Sequence, residues 1–190
     1  PKAITGGAVG SMLIAMQKGV ARGIFSNEAG LGSAPIAAAA AQTNSPVRQG
    51  LVSMTGTFID TIIICTLTGL SIVLTGAWQV EGLEGVQVTT YAFQHGLPFP
   101  AQFSSFILML CLVFFAFTTI LGWDYYSERC LEYLSGGNMK HVKIFRWIYI
   151  LAVFIGPYMT VSAVWTIADI FNGLMAIPNM IALFALSGVI

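Results

Sequence analysis

The chain has 190 residues, of which 56% are hydrophobic and only 8% carry a charge. An average soluble domain is about 25% charged, so this chain has too few polar side chains to cover a water-facing surface. Its eight basic and eight acidic residues cancel, which excludes a strong field that would recruit nucleic acid. Composition therefore predicts an integral membrane protein.

Apolar runs near the length that crosses a bilayer, about 20 residues, recur along the chain. Turn-forming residues at Ser45-Pro46, Ser135–Asn138 and Gly156-Pro157 separate them. We predict a single all-α transmembrane domain with a broken first span, helices 3–17 and 27–41, followed by helices 46–78, 102–134, 141–156, 158–173 and 176–190. The last boundary stays open, since Pro178 also fits a kink inside one long helix.

Basic residues predict the orientation of the spans. The Gln42–Gln49 and Ser127–Arg146 connections contain Lys or Arg, which favours the inner side. The Gln79–Pro100 loop has neither and is predicted outside. These loops alternate if the first span runs from outside to inside. The chain lacks a starting Met and closes within an apolar run, so we expect a fragment of a longer protein.

The first span carries Lys18, Arg22 and Glu28 among four glycines and a proline over residues 18–35. Ionisable groups and irregular backbone are tolerated in a membrane where they line protein or a water-filled cavity. We therefore predict a discontinuous helix lining a polar site. The C-terminal carbonyls of its first half suit an ammonium group, and Ser26 or Asn27 is expected to cap the second half.

A plainer interpretation places residues 18–30 at the inner membrane surface, with Lys18 and Arg22 snorkelling to water. The apolar segment Ala34–Ala41 argues against it, because the span continues beyond Gly30. The GxxxG spacings at Gly6/Gly10 and Gly19/Gly23 are typical of close helix packing.

The intramembrane charges suggest specific pairs. Glu28 is expected to pair with Arg22 if these charges are structural. Asp60, an intramembrane carboxylate, is a functional candidate, or it pairs with Lys18 or Arg22. The partners of Asp124 and Asp169 cannot be read from the sequence.

Residues 19–35, Gly-Val-Ala-Arg-Gly-Ile-Phe-Ser-Asn-Glu-Ala-Gly-Leu-Gly-Ser-Ala-Pro, closely resemble the signature of the alanine or glycine:cation symporter family, the sodium:alanine symporters. Residues 43–50, Gly122-Trp123 and residues 168–173 resemble the same family, so the likeness covers nearly the whole chain. The resemblance implies the second five-helix inverted repeat of the amino acid–polyamine–organocation superfamily fold. The chain would supply helices six to ten and the start of eleven, with an N-terminal half missing.

The resemblance also implies site residues. Those expected to bind substrate are Gly23, Ile24, Phe25, Ser26, Thr119 and Trp123. Sodium is expected at the hydroxyls of Thr118 and Thr119 and at the carbonyl of Phe115, with the Ala116 carbonyl as the alternative third ligand. The charges expected along the pathway are Lys18, Arg22, Glu28 and Asp60. Alternatively, the two hydroxyls bond back to their own helix, and Phe25 and Trp123 are ordinary core or interfacial aromatics.

The function implied is sodium-coupled symport of a small neutral amino acid, alanine or glycine, by alternating access across a bacterial or archaeal cytoplasmic membrane. The expected partners are the amino acid, the bilayer and the missing N-terminal half. The alternative is a channel or scaffold module that does not transport. No enzyme motif occurs in the sequence, and we expect no enzymatic activity, organic cofactor or nucleic-acid partner.

Overall fold

A computed structural model describes residues 2–188, with the backbone alone for residues 2–6 and 8. Within the described residues the chain is helical and contains no strand. The α-helices are α1 (Lys2–Asn27), α2 (Ala34–Ala38), α3 (Pro46–Phe58), α4 (Cys65–Leu74), α5 (Val86–Gly96), α6 (Ala101–Leu134), α7 (Met139–Ile155) and α8 (Val161–Leu186). A π-helical segment, Ile59–Ile64, joins α3 to α4, and 3-10 turns occupy Ala77–Gln79 and Gly156–Tyr158.

Three helical stretches within the described residues are long and apolar enough to cross a membrane. They are Pro46–Leu74, which combines α3, the π-helical segment and α4, and the helices Ala101–Leu134 and Val161–Leu186. Almost none of their apolar side chains is fully buried by the rest of this chain. A helix that is apolar around its circumference needs lipid or other membrane helices as its surroundings. The chain is therefore a membrane protein by the character of its own helices.

The chain folds as two compact units. The first combines residues up to Thr61 with residues from Thr160 onward, and so contains α1, α2, α3 and α8. Here the sequence prediction needs a correction. The interruption expected between residues 17 and 27 is absent, because α1 continues through its glycines to Asn27. The break lies at residues 28–33, where Glu28, Gly30 and Gly32 have positive φ angles, a conformation that ends a right-handed helix.

Residues 28–33 form an irregular turn that is partly buried within the first unit. Leu31 and Ser33 are among the few buried side chains of the chain. At Gly32 the backbone has φ +81°, which favours glycine, and an added Cβ would also lie 3.1 Å from Asn179 Oδ1 of α8. The short helix α2 then begins after Ser33, whose side chain makes no cap bond. The expected caps Ser26 and Asn27 are thus not used as caps for the second helix.

Helix α8 is continuous from Val161 to Leu186, with Pro178 in its interior. Of the two predictions for this region, a separate helix over 176–190 is wrong. The structure has one long helix that contains the proline, as membrane helices tolerate.

The second unit, Ile62–Met159, contains α4 to α7. Helix α5 lies in the stretch that the sequence assigned to an outer loop, and Gln94 Nε2 donates a 2.7 Å hydrogen bond to Ser105 Oγ of α6. Helices α6 and α7 are joined by the ion pair of Glu128 and Arg146 and by a 2.9 Å hydrogen bond from the Tyr149 hydroxyl to the Ile120 carbonyl. These contacts fix α6, which carries the predicted sodium ligands, against α5 and α7.

Candidate functional site

The last turn of α1 carries most of the residues predicted to bind substrate. Residues Gly23 to Ser26 lie in regular helix, which ends at Asn27. The final carbonyl groups of a helix have no partner within it and carry partial negative charge. An added Cβ at Gly23 would meet no atom within 4 Å, so the direction in which a side chain would point is open there. This helix end can accept hydrogen bonds from an amino group.

Arg22, at the start of this turn, binds Asp169 of α8. Its Nη1 donates to Oδ1 and its Nη2 to Oδ2, each at 3.0 Å. Such a two-point pair between planar groups is stronger and more specific than a single charge contact. The predicted pairing of Arg22 with Glu28 is wrong. Glu28 lies beyond the end of α1 with φ 56°, and the carboxylate that meets Arg22 comes from another helix.

One aromatic ring lies over the guanidinium group of this ion pair, and a second ring contacts the first. The guanidinium carbon of Arg22 lies 3.9 Å from the centre of the Trp165 ring, which is cation–π distance. Phe25 meets the same ring edge to face, with centroids 5.2 Å apart. Trp165 and Asp169 are four residues apart on α8 and therefore share a face. Phe25, predicted to bind substrate, has Trp165 as its aromatic neighbour.

The end of α1 also bonds to the helix that follows α3. Ser26 Oγ donates to Asp60 Oδ2 at 2.9 Å, and Asn27 Nδ2 donates to Thr61 Oγ1 at 2.9 Å. The side-chain partner of Asp60 is therefore Ser26, and the alternative prediction that Asp60 pairs with Lys18 or Arg22 is wrong. Asp60 and Thr61 belong to the π-helical segment Ile59–Ile64. Single π turns inside α-helices are rare and are frequent at functional sites.

The two other charges predicted along the pathway make no ion pair within the described residues. Lys18 is exposed on α1, and Glu28 is half-buried in the turn that follows it. The side chain of Asn27 organises this turn, because its Oδ1 accepts a 2.9 Å hydrogen bond from the Ala29 amide. Of the expected four-residue charge network, only Arg22 is ion-paired, and its partner is Asp169.

The predicted sodium ligands lie on α6, in the second unit. The Phe115 carbonyl accepts hydrogen bonds from both threonine hydroxyls, at 3.0 Å from Thr118 and 2.8 Å from Thr119. Thr118 also reaches the Phe114 carbonyl at 3.1 Å. The three predicted oxygens thus adjoin one another, in the back-bonded arrangement that was the plainer alternative. Each hydroxyl donates its hydrogen and keeps lone pairs for a cation.

Trp123 lies one turn beyond Thr119 on the same helix. Its ring is edge to face with that of Tyr126, with centroids 5.8 Å apart. The side chain is only partly buried. Since Trp123 and Thr119 are four residues apart, they share a face of α6. A ligand bound at that face would meet both the hydroxyl and the indole.

The sequence analysis did not predict the residues that contact the last turns of α1. Trp165 carried no signal beyond being an aromatic residue four positions before an intramembrane carboxylate, and that spacing could have marked both as one face of a helix. Asn27 and Thr61 were not assigned to each other because they lie on different helices. Asp169 was recognised as unusual, but its partner is distant in the sequence.

The whole chain, residues 1–190, matches the model of the sodium:alanine symporter family. The chain belongs to the sodium:alanine symporter family. This confirms the resemblance carried by residues 19–35. The relatives of the chain are named transporters or symporters, in agreement with the expectation that the chain is not an enzyme.

Several relatives match along almost the full chain. An uncharacterised transporter of Haemophilus influenzae is 59% identical over 191 residues, which is 100% of this chain and 41% of the relative. The sodium/alanine symporter AgcS of Methanococcus maripaludis is 50% identical over 93% of the chain and 38% of its own length. The probable sodium/glutamine symporter GlnT of Bacillus subtilis is 39% identical over 97% of the chain and 37% of its own length. The chain therefore spans about two fifths of the length of these relatives.

Proposed function

We propose that this chain is the part of a sodium-coupled symporter that supplies one side of its substrate and sodium sites. The complete protein takes up a small neutral amino acid, alanine or glycine, across the cytoplasmic membrane. The family match over residues 1–190 carries this proposal. The relatives' names support sodium coupling, although one names alanine and another glutamine. Transport proceeds by alternating access around a site within the membrane.

The end of α1 binds the amino acid in this proposal. The free carbonyls of its last turn accept hydrogen bonds from the substrate ammonium group. Gly23 lets the substrate approach the backbone, Ile24 and Phe25 contribute apolar surface, and the Ser26 hydroxyl lies at the helix end. The ion pair of Arg22 with Asp169 fixes this turn against α8. Substrate binding and the position of α1 are then linked through one turn of helix.

Sodium binds at α6 in this proposal, through the hydroxyls of Thr118 and Thr119 and the carbonyl of Phe115. Sodium is a hard cation, and hard cations take oxygen ligands. The threonine oxygens already lie within 3.1 Å of a backbone carbonyl, so ligation requires only a modest rotation of the hydroxyls. Trp123 limits the size of the side chain that fits beside them. The remaining ligands come from segments outside this chain.

The test is uptake of labelled amino acid by the complete transporter in proteoliposomes. We expect an inward sodium gradient to drive accumulation of alanine or glycine above equilibrium, and a potassium gradient of equal size to fail. Labelled glutamine, included because of one relative's name, should accumulate less. Uptake that ignores the sodium gradient would refute the proposal. Fast equilibration of alanine without accumulation would instead indicate a channel.

A further inference from the structure

The irregular turn at residues 28–33 packs against α8 beside a proline. The Asn179 side chain lies against the Gly32 backbone, because a Cβ on Gly32 would be 3.1 Å from Asn179 Oδ1 and 3.3 Å from its Cβ and Cγ. Pro178 has no amide hydrogen, so α8 lacks one backbone hydrogen bond at this place. Among the described residues, no hydrogen bond joins the turn to α8. The turn can therefore leave α8 without breaking one.

In this packed position the turn carries two unfavourable features. The Ser33 hydroxyl is buried, the residue being 1% exposed, and its oxygen has no hydrogen-bond partner within the described residues. A buried polar group without a partner costs free energy. Glu28 has φ 56°, in the left-handed region that a residue with a Cβ adopts at a cost. Unsatisfied groups and strained backbone of this kind are characteristic of segments that change conformation.

The Ser33 hydroxyl finds a partner only when the turn moves. Atoms of this chain already cover its oxygen, so neither water nor a ligand reaches it in the packed position. The unpaired hydroxyl thus favours release of the turn. The packed position in return buries Leu31, which is 5% exposed. Burial of a leucine side chain and burial of an unpaired hydroxyl are opposing contributions of comparable size, which allows both positions to be populated.

We propose that the 28–33 turn is a two-position switch, packed against Asn179 of α8 in the state that binds the amino acid and released from α8 in the state that lets it go. The turn directly follows the last carbonyls of α1, so its position determines where these carbonyls point. An amino acid bound to the carbonyls then favours the packed position. Asn179 is a positioning residue, since it acts through the turn. This inference rests on the proposed function, because it requires the amino acid to bind at the end of α1.

Two substitutions should move the switch in opposite directions in the complete transporter. Ser33→Ala removes the unpaired hydroxyl and favours the packed position, so we expect alanine to bind about three- to tenfold more tightly and to be transported more slowly. Gly32→Ala favours release, because its methyl meets Asn179 and a φ of +81° disfavours alanine, so we expect alanine to bind about tenfold more weakly. Equilibrium binding of labelled alanine measures affinity, and uptake into proteoliposomes measures turnover.

Each substitution has a matched control in the same chain. Gly30→Ala has the same φ of +81° but meets no atom within 4 Å, so its difference from Gly32→Ala measures the contact with Asn179. Adding Asn179→Ala to Gly32→Ala removes two of the three close atoms and should recover part of the affinity. Ser104→Ala removes another buried hydroxyl without a partner, on α6, and should leave affinity and turnover unchanged.

Thiol labelling of Leu31→Cys, in a transporter without its native cysteines, follows the turn directly, because residue 31 is buried in the packed position. We expect alanine with sodium to slow labelling about threefold or more, Ser33→Ala to slow it and Gly32→Ala to accelerate it. Ser33→Ala only relieves an unfavourable group, so the test does not depend on the folding of Gly32→Ala.

Two results would overturn the switch. One is an alanine affinity and a labelling rate that Ser33→Ala leaves unchanged, and the other is a shift of Ser33→Ala and Gly32→Ala in the same direction. In either case sodium-driven uptake by the unmodified transporter would remain. If the unmodified transporter shows no sodium-driven uptake, the proposed function itself fails. The two failures are therefore distinguishable in one set of measurements.

Discussion

Arg22 of α1 and Asp169 of α8 form an ion pair in which the two terminal guanidinium nitrogens each donate to a different carboxylate oxygen at 3.0 Å. The Trp165 ring covers the guanidinium, with 3.9 Å between the guanidinium carbon and the ring centre. Both features depend on a flat, delocalised cation that offers several fixed donors. The contact thus ties the end of α1 to α8 in one orientation, one turn from the proposed substrate carbonyls.

We predict that Arg22→Lys impairs transport although it keeps the charge. Lysine offers a point charge that cannot match both carboxylate oxygens or stack on Trp165 in the same way. The loss of one charge-assisted hydrogen bond, worth about 1.5–3 kcal/mol, should lower the uptake rate about tenfold or more. Arg48→Lys, in a residue that forms no ion pair within the described part of the chain, is the control. Equal uptake by Arg22→Lys and Arg48→Lys would show that transport does not depend on the two-point contact of Arg22 with Asp169.

A double-mutant cycle on Arg22 and Asp169 should show favourable coupling. Each single change, Arg22→Met or Asp169→Leu, leaves one charge without its partner, whereas the double change removes both. The side chains keep 35% and 50% of their surface uncovered by this chain. We therefore expect a coupling energy of about 1–2 kcal/mol in thermal or denaturant unfolding, below the cost of about 3–5 kcal/mol for breaking a buried pair. Additive effects would mean that the pair contributes nothing specific.

The span pattern and the family signature were readable from the sequence because each is local. Apolar length predicts helices 46–78 and 102–134 without reference to any partner, close to the candidate spans Pro46–Leu74 and Ala101–Leu134 of the structure. The break in the first span was misplaced because glycines and charges within residues 18–26 were read as irregular backbone. In the structure those glycines continue the helix, and the positive φ angles come later, at Glu28, Gly30 and Gly32.

Partners between helices were harder to predict than the helices themselves. The local sequence marks Asp60 and Asp169 as unusual, yet it offers two candidate bases for Asp60 and none in particular for Asp169. Only packing decides that Arg22 meets Asp169 and that Asp60 meets a serine. Helix α5 was missed for a related reason. It is short and partly polar, and its contact through Gln94 with Ser105 of α6 is not visible in a hydropathy pattern.

Thr119→Val tests the sodium ligands on α6. Valine keeps the branched shape but removes the oxygen that lies 2.8 Å from the Phe115 carbonyl. We predict that the sodium concentration for half-maximal uptake rises about tenfold, since one ligand worth about 1.4 kcal/mol is lost. Thr90→Val is the control, because Thr90 bonds the Val86 carbonyl on α5 in the same back-bonded way. Unchanged sodium activation in Thr119→Val would mean that sodium binds elsewhere.

Trp123→Ala tests which side chain limits substrate size. Removal of the indole opens space on the face of α6 that also carries Thr119. We predict that the variant accepts larger neutral amino acids such as leucine, and that alanine loses about three- to tenfold in affinity because apolar contact is lost. Competition against labelled alanine measures both effects. Trp147→Ala on α7, where 69% of the residue is uncovered, is the control. If both variants keep the same preference for small amino acids, Trp123 does not limit the size of the substrate side chain.

Gly23→Ala separates binding of substrate from packing of this chain. A methyl group at Gly23 meets no described atom within 4 Å, and alanine is the better helix former by about 1 kcal/mol, so the variant should fold at least as well. We predict that it nevertheless loses about tenfold in alanine affinity, because the methyl occupies the approach to the free carbonyls at the end of α1. Gly69→Ala on α4, equally unobstructed, is the control for the change itself. Thermal unfolding checks stability and uptake kinetics check affinity. If Gly23→Ala keeps full affinity, the amino acid does not approach the backbone there.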